Sequence, residues 1–471
     1  MSEEATLDEF VDRDEKESNQ SKPVTDELEQ EQFGPFTLST PGEWTAKRLG
    51  DIKQLITRGK QPTYDDDGVP VINQECIYWN GWHFENLRYL DAEVAEDWKD
   101  KYFPQKGDII LNSTGQGTLG RAQVYPDNER RAIDSHVTLL RTTDELSPYF
   151  HRYFLESYLG QALLYSMCVN GSTGQIELSK TRLDLQPIPL PPLEEQRKIA
   201  SVLYNVDQAI QKTEETIGQL DRTRKGIEQD LLSRGISSTG SLREEDEIEY
   251  KSSWVGKIPL DWEVRQYEEL ITKSSVGIVV KPSQYYDNSG SIPILRSKDI
   301  GRDGIVDGNF KYMTEESNKE NPSSQVHTED VITVRSGDPG LSCVVSHQYN
   351  GVNSADLLIS TPGPELNSHF AAMWINSFAG RKQIDRFQAG LAQKHFNLGA
   401  LRKLRIAVPS LEEQTRIVDT VASVTDDIAQ ENSYLNQLKR LKQGLMQDLL
   451  SGKIRTHDKD IEILDEVAQH G

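Results

Sequence analysis

The apolar positions of this chain change rhythm along its length, and the rhythm marks its parts. From Ile199, apolar side chains fall at Leu203, Val206, Ile210, Ile217, Leu220, Ile227 and Leu231, in alternating steps of four and three. A second series runs Ile417, Val421, Val424, Ile428, Leu435, Leu438, Leu445 and Leu449. Such steps keep side chains on one helix face, and a sustained heptad describes a seam between two helices. Thr213 and Arg224 interrupt the first series, and Glu431 and Lys442 the second, at matching positions. Polar residues at shared seam positions fix register, although Arg224 and Lys442 would repel if opposed. Rods of about forty residues, at 1.5 Å rise, are about 60 Å long. No capping signal falls inside either series. The pattern therefore predicts a long two-helix coiled coil rather than an amphipathic pair folded into a globular core.

The two series belong to one internal repeat. PPLEEQRKIASVL at 191–203 and PSLEEQTRIVDTV at 409–421 lie 218 positions apart. Gln229-Asp230-Leu231-Leu232-Ser233 matches Gln447-Asp448-Leu449-Leu450-Ser451 at the same offset, as do Leu220 with Leu438 and Gly226 with Gly444. Ahead of the helices the correspondence is looser. Trp44 aligns with Trp262, Val69-Pro70-Val71 with Ile292-Pro293-Ile294, Gly107-Asp108-Ile109-Ile110 with Glu329-Asp330-Val331-Ile332, and Ser135 with Ser354. Phe150, Phe154, Ser157 and Gly160 align with Phe370, Trp374, Ser377 and Gly380.

Short apolar runs such as DIILNS, HVTLLRT, VITVRS and DLLIST, bounded by Gly and polar turns, read as strands, and 148–166 and 369–388 as helices. Each globular unit is thus expected to be α+β. The resulting plan is an acidic disordered tail (1–38), a first unit (39–190), a helix (191–236) and a linker (237–254). A second unit (255–407), a second helix (408–454) and a C-terminal tail (455–471) follow.

Composition narrows the class. The net charge is −23, and residues 1–32 alone hold twelve acids against three bases. The acidic remainder argues against non-specific nucleic-acid binding, or else marks a proteome adapted to high salt. No stretch approaches eighteen consecutive apolar residues, and the N-terminus is acidic and polar, so a cytoplasmic protein is expected. Cys76, Cys168 and Cys343 are isolated, without metal-ligand spacing. Gly115-Gln116-Gly117-Thr118-Leu119-Gly120 is a literal G-x-G-x-x-G, but RAQVYPD follows it and reads as a strand rather than the helix a pyrophosphate site needs. No P-loop, G-x-S-x-G, or Asn-Pro-Pro-aromatic tetrapeptide occurs. The paired glutamates suit first helical turns: Ser410-Leu411-Glu412-Glu413 has the form of a capping box, and Pro192 starts the first helix. No catalytic set emerges, and a binding or scaffolding protein is expected.

Pro189-Leu190-Pro191-Pro192-Leu193-Glu194-Glu195-Gln196, echoed by Val408-Pro409-Ser410-Leu411-Glu412-Glu413-Gln414, resembles the joint phrase of the specificity subunit of type I restriction–modification enzymes. GDIILNSTGQGTLGRAQV likewise resembles the loop-bearing strand pair of that family's target-recognition domains; the second copy departs from it at Arg335-Ser336-Gly337-Asp338-Pro339-Gly340. The resemblance covers about residues 40–455. It implies two target-recognition domains, each reading one half of a split sequence in double-stranded DNA, held apart by an antiparallel helix pair. It also implies two methyltransferase (modification) subunits carrying S-adenosylmethionine, motor–nuclease (restriction) subunits using ATP, and no catalysis or cofactor in this chain. Alternatives are a partner in which methyltransferase and nuclease are fused, or a coiled-coil scaffold that reads no DNA.

Base edges call for amide, hydroxyl and cationic side chains on well-held loops. Candidates in the first unit are Asn73, Gln74, Asn112, Ser113, Thr114, Gln116, Ser172, Thr173 and Gln175. In the second they are Arg296, Ser297, Lys298, Arg335, Ser336, Gln393, Lys394 and His395. Lys60 and Lys281, each just ahead of a proline, are candidate phosphate contacts.

Overall fold

The computed structural model describes residues 28–33, 36–171, 176–246, 248–306, 308–388 and 395–468. It divides within its two long helices, Leu193–Arg234 and Leu411–Leu450, into two compact units. One takes the chain up to Glu214 together with Tyr434 onward; the other is Glu215–Ser433.

In the first unit an antiparallel sheet runs in the order Ala122–Val124, Ile109–Asn112, Val137–Thr142, Lys53–Arg58. Its central run is apolar without alternation because both faces are covered. Ile109 and Leu111 pack with Phe150, Phe154 and the long helices, while Ile110, with its sheet neighbour Leu139, packs with Ile72 and Ile133 of the opposite layer. A second sheet orders Ala132–Ile133, Val69–Ile72, Arg88–Leu90 and Tyr64–Asp65, its first pair parallel. The second unit repeats this plan: Ser342–Val344, Val331–Val334, Leu357–Pro362, Ile271–Val276 in one sheet, and Asn353–Ser354, Ile292–Leu295, Lys311–Met313 in the other, again with a parallel first pair. Each unit is a mixture of helix and sheet.

The parallel pairs correct the loose part of the alignment. Ile133 pairs with Ile72, and Ser354 with Leu295, so Ser354 matches Ile133 rather than Ser135. Likewise Lys60 N donates to Ile133 O where Ile278 N donates to Ser354 O. Lys60 thus corresponds to Ile278, and Lys281 lies farther along its loop.

Three expectations change. Leu28–Phe33 pairs antiparallel with Phe36–Pro41, and Phe33 and Leu38 bury against Ala46; the acidic tail therefore stops short of residue 38. The linker ends in a strand, Tyr250–Ser253, paired with Gly256–Pro259. The C-terminal segment is docked rather than loose: Val467 is fully buried in the first unit's core, and Leu464 N donates to Ser201 Oγ at 3.1 Å.

The segments expected as single helices each break once. Pro148–Glu156 and Tyr158–Leu163 meet at Ser157, and Ser368–Asn376 and Phe378–Gln388 meet at Ser377. Both serines have extended backbone (ψ 157° and 164°), which ends one helix and caps the next.

All sixteen apolar positions predicted from the heptads are buried or half-buried. Of the interruptions, Thr213 satisfies its hydroxyl on Ala209 O within its own helix. The two basic interruptions are each paired within their own unit. In the first unit Lys442 Nζ lies 2.5 Å from Glu156 and 2.8 Å from Asp207, and Arg152 Nη1 lies 2.8 Å and 3.1 Å from the same two carboxylates. In the second unit Arg224 binds Asp221 and Asp303. Each cation thus ties a long helix to its own unit.

Candidate nucleic-acid interface

The LEEQ phrase is the mount for the loops above it. Gln196 Oε1 accepts from Ser147 N, and its Nε2 donates to Glu145 O and Pro191 O. Gln414 repeats the set with Asn367 N, Glu365 O and Pro409 O. The second glutamate does more than complement a helix dipole. Glu195 accepts from Trp44 Nε1 at 3.1 Å, from Arg455 through two nitrogens at 2.9 and 3.0 Å, and from Thr456 N at 3.0 Å. Glu413 accepts from Trp262 Nε1 at 3.3 Å, Arg243 Nη2 at 2.7 Å and Ile236 N at 3.0 Å. In both units this carboxylate gathers the unit's buried tryptophan and the chain that emerges from the other long helix.

The twin carboxylates titrate in opposite directions. Burial opposes ionisation of Glu195, but the Arg455 fork, Thr456 N–H and Trp44 outweigh it and hold the group below the usual carboxylate range. For Glu413 burial prevails over the Ile236 N–H and Arg243, and the nearby negative charge of Asp261 adds to it, so the group is raised.

In the first unit, Gly115, Gly117 and Gly120 all have positive φ (94°, 86° and 91°), which turns the chain between the strands Ile109–Asn112 and Ala122–Val124; no helix begins there. Several candidates nearby are internal rather than presented. Asn73 is buried, accepting from Glu75 N at 2.7 Å and donating to Asn86 O at 2.9 Å. Asn112 and Ser113 are fully buried: Asn112 donates to Gln74 O at 3.2 Å, and the Ser113 and Thr138 hydroxyls bond each other. These three side chains are turned inward, onto Asn86 O, Gln74 O and Thr138, where they were expected to be presented at the surface. Thr114 and Gln74 are half-buried and Gln116 is exposed, so these remain at the surface. Lys60 is exposed, its ammonium 4.9 Å from the Trp98 ring centre. Ser172, Thr173 and Gln175 lie outside the described residues.

In the second unit one residue that sequence reasoning missed organises the candidates. Asp356, at φ 55°, accepts from Arg335 Nη1 at 2.8 Å and from Ser336 Oγ at 3.1 Å; Ser336 Oγ lies 2.8 Å from His395 Nδ1. Arg335, Ser336 and His395 are thus brought together. Arg296 is turned inward, bidentate to Asp299 at 2.9 and 3.1 Å and donating to Asn309 O, which removes it as a presented cation. Ser297 is half-buried, and Lys298 and Lys281 are exposed, the latter in left-handed backbone at φ 43°. Gln393 and Lys394 lie outside the described residues.

The model of the type I restriction modification DNA specificity domain matches this chain twice, at residues 41–222 and 259–440. The chain belongs to that family. It is 25% identical over 402 residues to the type I restriction enzyme EcoBI specificity subunit of Escherichia coli, covering 82% of this chain and 80% of that protein. To the type I restriction enzyme MjaVIII specificity subunit of Methanocaldococcus jannaschii it is 22% identical over 433 residues, covering 89% and 94%. Among solved structures, the type I restriction–modification S subunit from M. genitalium superposes with a TM-score of 0.53 at 15% identity, over 86% of this chain and 96% of that one. The structural likeness is one of fold: two repeated domains of mixed helix and sheet. Among the described residues, no three His, Cys, Asp or Glu side chains gather as a metal site, and no helix is long and apolar enough to cross a membrane.

Proposed function

We propose that this chain is the DNA sequence-recognition subunit of a type I restriction–modification complex, with residues 39–190 and 255–407 each reading one half of a bipartite target. One observation carries the reading: the specificity domain occurs twice, with the same strand order and the same glutamate–tryptophan joint to a long helix. In this reading the long helices run antiparallel as a coiled coil that sets the distance between half-sites and carries two methyltransferase subunits. Motor–nuclease subunits complete the assembly in the cytoplasm. S-adenosylmethionine and ATP belong to those partners, and this chain contributes binding alone.

The groups assigned to DNA are Gln74, Thr114, Gln116 and Lys60 in the first unit, and Ser297, Lys298, Arg335, Ser336, His395 and Lys281 in the second. All are at least partly exposed on loops, as base and phosphate contacts require. Purified chain is expected to transfer no methyl group from S-adenosylmethionine to DNA, and to confer sequence-specific transfer once the methyltransferase subunit of its source organism is added. Methyl transfer by the chain alone contradicts the reading.

A further inference from the structure

The two units differ in the chain that connects their sheets. Lys60 and Ile278 hold matching places, yet residues 61–68 lead from Lys60 to the strand Val69–Ile72, where the longer run 279–291 leads from Ile278 to Ile292–Leu295. The first connection continues with Gln61, whose amide oxygen accepts from Ser135 Oγ at 2.6 Å. The second continues with Val279 and Val280, 51% and 75% exposed, and then the exposed Lys281. A lone exposed valine asks for no explanation. Two in succession, beside a cation and on a loop held at both ends, ask for one. At the near end Ile278 is buried, its N donating to Ser354 O at 2.8 Å and its O accepting from Asp356 N at 3.1 Å. At the far end Tyr285 and Tyr286 pack into the same apolar cluster as Ile278, with Ile294 and Met313. Between them Gln284 N donates to Lys281 O at 3.0 Å, and Lys281 has left-handed backbone ahead of Pro282. The valines are thus projected by fixed backbone, and a β-branched side chain has little rotamer freedom of its own to lose on contact.

What stands next to them selects the ligand. Asp356, whose N–H bonds Ile278 O, holds Arg335 and Ser336 with its carboxylate, and Ser336 Oγ lies 2.8 Å from His395 Nδ1. Guanidinium, hydroxyl, imidazole and ammonium groups suit the polar atoms of base edges and phosphates. The one apolar group on the major-groove edge of DNA is the C5 methyl of thymine, which calls for an apolar contact instead. Valine methyls supply that contact. A protein groove would have to accept the cations along with the valines, whereas DNA takes both.

We propose that Val279 and Val280 are a specificity-determining surface of the second unit, packing on the C5 methyl of a thymine in the half-site that this unit reads. The proposal rests on the function proposed above and adds what that reading leaves open, the identity of a base. The test uses the full chain with the methyltransferase subunit of its source organism, and a duplex carrying the target mapped from methylated bases. Each thymine is replaced in turn by deoxyuridine, which lacks only the C5 methyl, and affinity is titrated. At one thymine or more, all in one half of the target, the parent is expected to lose about fourfold, the equivalent of one buried methyl. V279A/V280A is expected to bind those same duplexes and the thymine duplex alike. V306A, at a valine of the same unit that is 56% exposed outside this loop, is expected to keep the parent's sensitivity. A half-site without an A·T pair overturns the proposal, as does the lack of any thymine whose methyl the parent senses and V279A/V280A does not. An equal loss in V279A/V280A on every sequence also overturns it, and makes the valines a non-specific contact. A complex with no preferred sequence at all fails the recognition-subunit reading itself, whereas a sequence-specific complex without valine–methyl coupling fails this inference alone.

Discussion

Replacing Arg455 with methionine tests the joint where the structure makes its strongest energetic claim. Arg455 and Glu195 side chains are 7% and 1% exposed, and the arginine supplies two of the carboxylate's four hydrogen bonds. Methionine fills much of the same space but leaves Glu195 with Trp44 and Thr456 N alone. Removing one member of a buried pair costs about 3–5 kcal/mol, because the other charge stays buried. The twin variant R243M should cost only about 1–2 kcal/mol. Arg243 gives Glu413 a single contact and divides itself with Asp261, whose side chain is 58% exposed. The pH dependence has a defined sign. Glu195 is held below its ordinary value, so its contribution is present above the unfolded carboxylate pKa and is lost as pH falls through the folded one. In R455M that carboxyl is raised instead, so the penalty is largest at neutral pH and shrinks toward about pH 4. Amide exchange by mass spectrometry over 41–52, 193–203 and 446–456 reads the local opening free energy at neutral pH, and urea titrations at both pH values read the trend. Equal losses in the two variants, a loss under about 1 kcal/mol in R455M, or a penalty that grows on acidification would refute the reasoning.

K442M should destabilise the first unit by about 3 kcal/mol, since Glu156 and Asp207 would then share the single charge of Arg152, with Tyr153 Oη donating to Asp207; unchanged exchange in 148–156 would contradict this. Gly160→Ala places a Cβ 1.8 Å from Phe154 O and should cost about 2–3 kcal/mol in thermal melting, so a variant as stable as the parent refutes the close helix approach. Lys60→Ala and Lys281→Ala should each reduce the slope of log affinity against log salt by about 0.9 without altering the preferred sequence. An unchanged slope removes that lysine from the phosphate contacts.

The long helices and the duplication were legible because they are local patterns: a heptad needs only its own residues, and Leu193–Arg234 and Leu411–Leu450 begin within the duplicated phrase. The role of the second glutamate was not legible. Its partner Arg455 lies at the other end of the chain, and Arg243 and Arg455 do not keep the 218-residue offset, so the alignment never set them side by side. The docking of Val467 was hidden for the same reason: a short apolar residue in a polar tail signals nothing until a core receives it. Among the candidate readers, residue type alone could not separate presentation from support. Asn73, Asn112 and Arg296 have the chemistry for base edges and spend it on Asn86, Gln74 and Asp299. Asp356 carries no donor for a base edge or phosphate; it holds Arg335 and Ser336, which only the fold reveals.

The division of labour between the two units is the central claim, and one exchange tests it. Residues 255–407 are replaced by the corresponding domain of another family member, the chimera is combined with the methyltransferase subunit, and methylated bases are mapped across a genome. The account predicts that one half of the recognised sequence changes while the other half and the gap between them stay as they were. A change in both halves, or in neither, would contradict it.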